Sequence, residues 1–569
     1  MLTLPVSAPL EMSNFVQAGH ELLENFFRFL KLQEASNSFS IDEDKFGVLL
    51  NQYVTDHRQL WGAISSGQAV SPDCVESFVR HEDRRFSADD WRASPVFNYI
   101  HQAYCLNSAL ILNSIDTLSI EQGKARDRLR FLARQYVDAL SPANFAATNP
   151  EFIRRAIATQ GNSITDGINL LIEDCRKGRI SMSDESAFEL GVNLATSVGS
   201  VIYENELIQL IQYKSLTEVV GQRPLLIVPP CINKYYILDL QPQNSFVRYA
   251  LEQGNTVFLI SWKNVSDEQG HLTWDDYLQK GPISALSVIQ DICQIEQINA
   301  LGFCIGGTLL TTALAVLSAR GQECVASLTL LTTLLDFSDT GEIGLFVDES
   351  TLTAREAAMA SSGIVLGREL ATVFSTLRAN DLVWHYVSSN YLKGIKPPAF
   401  DLLFWNADSA NLPSPFISWY LRHLYCENSL RVPGKLSICD SPVDLTRLRM
   451  PNYLLAARED HIVPWQTAYA SAALLGGDSR FVLAASGHIA GVVNPAHKNK
   501  RSFWSNGSLA EDAESWLIDA QEHQGSWWSD WACWLKPYAG AQSPAPAYLG
   551  NANYQPIEAA PGRYVKGLN

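Results

Sequence analysis

No stretch of the 569 residues runs apolar for the length a membrane helix needs, and no basic start leads into an apolar segment. Neither a spanning helix nor a secretory leader is therefore expected. Cationic side chains are scarce: Lys and Arg number 43 against 60 Asp and Glu, a net charge of −17. That balance argues against nucleic acid as a partner and against broad attraction to polyanionic surfaces. The ten cysteines lack paired spacing, which reads as reduced thiols in a cytoplasmic protein rather than a disulfide frame. No Cys/His cluster has zinc spacing; His20, His57 and His101 are isolated, so no metal is expected. No internal repeat is evident, and no serine lies in a Gly-x-Ser-x-Gly frame.

Sulfur stands where that serine is missing. Leu301-Gly302-Phe303-Cys304-Ile305-Gly306-Gly307-Thr308 has the form of a nucleophile elbow carrying cysteine. Ile298 to Phe303 reads as a buried strand and Thr308 to Leu317 as a helix, with a sharp turn between them. Gly302 and Gly306 let neighbouring segments approach such a turn without a Cβ clash. The free N–H groups of the helix aim at the sulfur and favour thiolate over thiol. Cysteine in an elbow points to acyl transfer, with thioesters as the first substrates to consider. The alternative is a small buried cysteine beside packing glycines.

Two later segments favour chemistry. Pro451 to Ala457 reads as a strand ending in Arg458-Glu459-Asp460-His461, and Arg480 to Ala485 as another ending in Ser486-Gly487-His488. An α/β-hydrolase orders its triad as nucleophile, acid and histidine. Cys304, Asp460 and His488 follow that order. Asp336, after the strand Ser327 to Thr333, competes for the acid role, and Asp460 has a rival reading as a helix cap near Pro464. Earlier, the strand Pro224 to Val228 breaks at Pro229-Pro230. The loop that follows is where this fold finds one oxyanion-hole donor, the second coming from the residue after the nucleophile. The backbone N–H groups of Cys231 and Ile305 are thus expected to form the hole. Lys234 reads as a solvated loop lysine, with contact to an anionic substrate as the alternative.

At these residues the chain resembles the single-subunit, class I poly(3-hydroxyalkanoate) synthases. The resemblance is carried by PPCINKYYILDLQP (Pro229 to Pro242), GNTVFLISWKN (Gly254 to Asn264), WDDY (Trp274 to Tyr277) and GFCIGGT. It continues through TTLLDFSDTG (Thr332 to Gly341), NDLVWHYV (Asn380 to Val387), FDLLFWNAD (Phe400 to Asp408), AREDHIVPW and SGHIAGVVNP. It spans about residue 144 to the C-terminus and is weak over the first eighty or so residues. It implies that Cys304 carries the growing chain, assisted by Asp460 and His488. The Phe303 and Ile305 flanks resemble the class acting on short-chain 3-hydroxyacyl thioesters. Also implied are (R)-3-hydroxyacyl-CoA as substrate with no separate cofactor, a homodimer, and contact with a polyester granule in the cytoplasm. Asp460 has two open roles, orienting His488 or activating the 3-hydroxyl. A cysteine-dependent thioesterase or esterase of the same fold, and a non-catalytic granule scaffold, are the alternatives.

The expected fold class is α/β: an α/β-hydrolase fold with an inserted cap, preceded by a mainly helical N-terminal domain. The boundaries are 1–205 for the helical domain and 206–569 for the catalytic domain, with the cap at about 337–447. That segment is too long for a simple crossover between strands and is rich in aromatics, from Phe346 to Tyr420. A cap there would keep the site dry and leave a channel, most of the aromatics forming its own core. Apolar rows at helical spacing run through Phe97 to Leu112 and Phe152 to Leu171. Trp527, Trp528, Trp531 and Trp534 form a stripe expected to anchor the tail on the domain. His497-Lys498-Asn499-Lys500-Arg501 is the most basic stretch of the catalytic half. It reads as a solvated loop, with the nucleotide phosphates as an alternative contact.

Overall fold

The short apolar runs from Gly199 onward assemble into one sheet, eleven strands wide among the described residues. They are β1 (Gly199–Glu204), β2 (Ile208–Tyr213), β3 (Leu225–Val228), β4 (Val257–Trp262), β5 (Ile298–Phe303) and β6 (Val325–Leu331). After a long insertion come β7 (Asn452–Ala457), β8 (Ser479–Ala484), β9 (Ser502–Ser505), β10 (Gln521–Gln524) and β11 (Glu558–Ala559). The spatial order is β10-β9-β8-β7-β6-β5-β3-β4-β2-β1-β11. The middle six pair in parallel and the flanking strands antiparallel. Parallel strands are buried on both faces, so they read as continuous apolar runs. Leu226, Ala300 and Leu454 enter one core; Leu225, Leu301 and Leu455 enter the other. This is the expected α/β-hydrolase sheet, and its carboxyl edge carries the candidate site.

The computed structural model describes residues 13–33, 40–66, 83–120 and 123–567. The chain divides into two units: Met1–Met182 with Phe374–Pro398, and Ser183–Val373 with Ala399–Asn569. The first is helical, including Ser13–Gln33, Glu43–Ser65, Pro95–Ser114 and Lys124–Ala139, whose Leu23, Phe26, Leu110 and Leu129 meet in one core. The row read over Phe152 to Leu171 is two helices, Pro150–Ala158 and Asn162–Lys177. Left-handed Gln160 and Gly161 break it. Among the described residues no helix is long and apolar enough to cross a membrane.

Two boundaries differ from the sequence reading. The division at 205 falls after β1, a strand that pairs with β2 and β11, so the sheet unit starts at Ser183. Within the segment 337–447, Phe374–Pro398 joins the helical unit, taking Trp384, Tyr386 and Tyr391 with it. There Tyr391 donates to Asp174 at 2.7 Å and Gln135 to the Thr376 carbonyl at 3.0 Å. Of the remaining aromatics, Phe416, Trp419 and Tyr420 stack on Trp274, outside the insertion, at 4.7–5.6 Å between centroids. These rings bind the insertion to the sheet unit rather than forming a core of its own.

Candidate active site

Cys304 sits between β5 and the helix Ile305–Ala319 at φ 53°, ψ −128°. A non-glycine residue there costs on the order of 1–3 kcal/mol and persists only where its surroundings enforce it. The enforcement is visible. The Cys304 N–H donates to the Leu331 carbonyl at 2.9 Å. Its carbonyl accepts from the Gly307 and Thr308 N–H groups at 2.9 and 3.3 Å, and from Thr333 Oγ1 at 3.2 Å. A Cβ on Gly302 would strike the Gly307 Cα, and one on Gly306 would strike the Val228 and Pro229 carbonyls. The helix is buried from Ile305 to Leu317, so it cannot shift outward to relieve such a clash.

The acid and base arrive from adjacent parallel strands. β7 and β8 end in register at Ala457 and Ala484, and their loops carry Asp460 and His488 to the same edge. Asp460 Oδ1 accepts from the Ile462 and Val463 N–H groups at 2.8 and 2.9 Å. Its Oδ2 lies 2.6 Å from His488 Nδ1. Both carboxylate oxygens are thus engaged, and the side chain is wholly buried. Asp460 is not a helix cap: the helix that follows, Trp465–Ala470, has Pro464 at its N-cap, and the turn closed by Asp460 ends before it at Val463. The charge of the Cys304 sulfur also acts on the imidazole. The Phe303 ring stacks on it at 5.8 Å between centroids. Burial alone would push this imidazole down; the charges at Asp460 and Cys304 outweigh it and raise it to about 10. The sulfur therefore faces an imidazolium across the neutral range.

Asp336 does not compete for His488. Its Oδ1 accepts from Asn428 Nδ2 and the Ser338 N–H at 2.8 Å, and Arg431 stands 3.5 Å from Oδ2. Cys231 is buried beside Cys304; burial, and then the neighbouring sulfur, push its thiol up, so it is a poor second nucleophile. The loop holding it is pinned where Trp262 Nε1 donates to the Pro229 carbonyl at 2.9 Å. Ile305 opens its helix, and a first-turn N–H has no acceptor within its own helix. Lys234 is not a solvated lysine: it is buried, with Nζ 2.9 Å from Asp408 and 2.6 Å from the Gly567 carbonyl.

Two features escaped the sequence reading. Tyr420 and Tyr425 lie on one loosely wound turn of the insertion, Tyr420–Cys426, with rings 5.3 Å apart. Burial raises both phenols, and the charge at Cys304 is among the smaller causes that add to it. Such turns recur at functional sites. The tail tryptophans do anchor, as expected, but on the histidine's own helix, His488–Val492. Trp527 Nε1 donates to the Gly491 carbonyl and Trp528 Nε1 to the Val492 carbonyl, both at 2.9 Å. These carbonyls close the last turn, where no intrahelical donor reaches them.

Residues 82–250 match the family model described as the N-terminus of poly-beta-hydroxybutyrate polymerase (PhaC), and residues 224–495 match that of the alpha/beta hydrolase fold. The chain is 52% identical over 527 residues to the poly(3-hydroxyalkanoate) polymerase subunit PhaC of Cupriavidus necator, covering 92% of this chain and 88% of that one. Against the subunit PhaC of Rhizobium meliloti it is 39% identical over 505 residues, covering 88% and 82%. Against the poly(3-hydroxyalkanoate) polymerase of Methylorubrum extorquens it is 40% identical over 489 residues, covering 85% and 80%. By its sheet, its elbow and these matches, the chain belongs to the poly(3-hydroxyalkanoate) polymerase family and is an acyltransferase on the α/β-hydrolase fold.

Proposed function

We propose that the chain polymerises (R)-3-hydroxyacyl-CoA, with 3-hydroxybutyryl-CoA the preferred monomer, through a thioester on Cys304. The observation that carries this reading is the His488 imidazole, 2.6 Å from Asp460 on one side and held protonated by the charge of the Cys304 sulfur on the other. The Cys304 thiolate attacks the thioester carbonyl, and the oxyanion forms against the backbone N–H groups of Cys231 and Ile305. One such donor is worth about 3 kcal/mol. Collapse breaks the bond to the coenzyme A sulfur, which leaves with the proton from His488. The exchange replaces one thioester by another and is nearly thermoneutral.

Acylation changes His488. Once the sulfur is esterified its charge is gone, and with it one of the influences holding the proton. The neutral imidazole is then a base for the 3-hydroxyl that must attack next. The engagement of both Asp460 oxygens supports an orienting role over direct activation of that hydroxyl. An insoluble polyester keeps the enzyme at the surface of its own product in the cytoplasm, and the family resemblance adds a homodimer and no further cofactor.

Incubation of the purified chain with (R)-3-hydroxybutyryl-CoA tests the reading. Coenzyme A release with insoluble polyester is the expected outcome; coenzyme A release with free 3-hydroxybutyrate would make it a hydrolase. Polymer formation by Cys304→Ala at the wild-type rate would remove the cysteine from the mechanism.

A further inference from the structure

In a chain of net charge −17, several of the sheet unit's cations are matched. Arg248 pairs with Glu252, Arg422 with Glu349 and Glu356, Arg480 with Asp530, and Arg563 with Glu204 and Glu558. Four exposed cations sit in the loops at the carboxyl edge of the sheet, after β7 and before β9. Arg458, Lys498, Lys500 and Arg501 make no ion pair among the described residues, although Glu459 lies near Arg501. Arg458 stands two residues before Asp460 with its guanidinium 4.9 Å from the Trp504 ring centroid.

The turn that carries the other three is fixed. Buried Asn494 donates to the Lys500 carbonyl at 3.2 Å, and the Gly525 N–H to the Arg501 carbonyl at 2.8 Å. The Arg501 guanidinium donates to the Ala490 carbonyl, inside the helix that begins with His488. Asn499 and Arg501 both hold positive φ, 43° and 67°. Such strain concentrates at sites that bind or react.

The placement suits an elongated substrate. Arg458 follows β7, and the turn ends where β9 begins, its Ser502 carbonyl accepting from the Ala485 N–H at 3.0 Å. Both lie on the carboxyl edge that carries Cys304. β7 is two strands from β5 and β9 is four, which is ~10 and ~19 Å at the usual strand spacing. The pantetheine arm runs about thirteen bonds from sulfur to the first phosphorus, roughly 16 Å when extended like a polypeptide. Its pyrophosphate and 3′-phosphate together carry roughly four negative charges.

We propose that this basic rim, Arg458 with Lys498, Lys500 and Arg501, binds the phosphates of the coenzyme A thioester. The proposal rests on the substrate reading above. Arginine pairs with phosphate through two parallel N–H bonds, while lysine serves as a point charge. A local cluster of this kind resolves how an acidic protein recruits an anionic substrate.

The test compares (R)-3-hydroxybutyryl-CoA with (R)-3-hydroxybutyryl-pantetheine, which keeps the arm and the thioester but has no phosphate. The full-length chain is assayed alongside two double variants, Arg458→Gln with Arg501→Gln, and Lys498→Gln with Lys500→Gln. The lysine pair is exposed and guards against a folding defect in the arginine pair. Each pair should raise KM for the CoA thioester about tenfold, the loss expected for charge-assisted hydrogen bonds, and weaken its salt dependence. KM for the pantetheine thioester should stay where it was. Equal changes with both substrates, or none in either variant, overturn the proposal. So does a wild-type chain with the same KM for both. A wild-type chain that turns over neither thioester instead overturns the substrate reading, and the rim's assignment falls with it.

Discussion

Replacing Asp460 by Asn removes the charge that holds His488 protonated while keeping the volume and an amide oxygen for Nδ1. The carboxylate Oδ2 lies 2.6 Å from Nδ1, which puts the charge centres about 4 Å apart. At an effective dielectric of ~20, the attraction is about 4 kcal/mol. That corresponds to roughly three decades in proton affinity. His488, raised to about 10 in the native site, should therefore titrate well below that in the variant. The sign follows from which form reacts. Acylation needs imidazolium beside thiolate, and a raised histidine stays protonated below its shifted pKa, so the rate is lost as pH rises through it. The wild-type acylation rate should hold until about pH 10 and then fall; in Asp460→Asn the fall should begin at clearly lower pH. The assay is the pre-steady-state burst of coenzyme A release across pH 6 to about 10.5, the window these values define. An alkaline limb that stays in place in the variant refutes the claim that the Asp460 charge governs His488.

Trp528→Phe keeps the ring packing against Phe246 and Tyr249 and deletes the N–H that meets the Val492 carbonyl. It should cost about 1 kcal/mol in a denaturant midpoint and lower kcat more than it raises KM; an unchanged kcat would show that the tail does not position His488. Gly306→Ala forces a methyl onto the Val228 and Pro229 carbonyls, and should cost about 3 kcal/mol with loss of activity, read by thermal melts and coenzyme A release. Near-normal melting and turnover would mean the elbow and β3 separate more easily than their contacts indicate. Tyr425→Phe keeps the buried ring and removes the phenol nearest in influence to Cys304 and Asp460. It should slow polymerisation several-fold without changing the melting temperature, and a rate equal to wild type would leave the phenol a packing role.

Much of the site was legible because it lies in short runs with strong local signatures. β5 spans the residues read from its apolar run, and β7 and β8 lie within one residue of their expected edges. The order of Cys304, Asp460 and His488 then followed from topology. The elbow helix was read from Thr308 but starts at Ile305. Gly306 and Gly307 look like turn residues in isolation; they are helical because nothing larger than hydrogen fits against the β3 loop and Thr333. The insertion showed itself by length, yet nothing in its composition marks Phe374–Pro398 as belonging elsewhere. Lys234 looked solvated because its partners, Asp408 and the Gly567 carbonyl, are remote in sequence. The tryptophan stripe announced an anchor, but only tertiary packing shows that its indoles meet the carbonyls of the His488 helix.

The most direct measurement is a single-turnover reaction with (R)-3-hydroxybutyryl-CoA, quenched in acid and mapped by peptide mass spectrometry. A hydroxybutyryl group on the peptide containing Cys304, absent from Cys304→Ala and slow to form in His488→Ala, is the expected result. Polymer produced with the adduct on another residue, or with no adduct at any time point, would contradict the account.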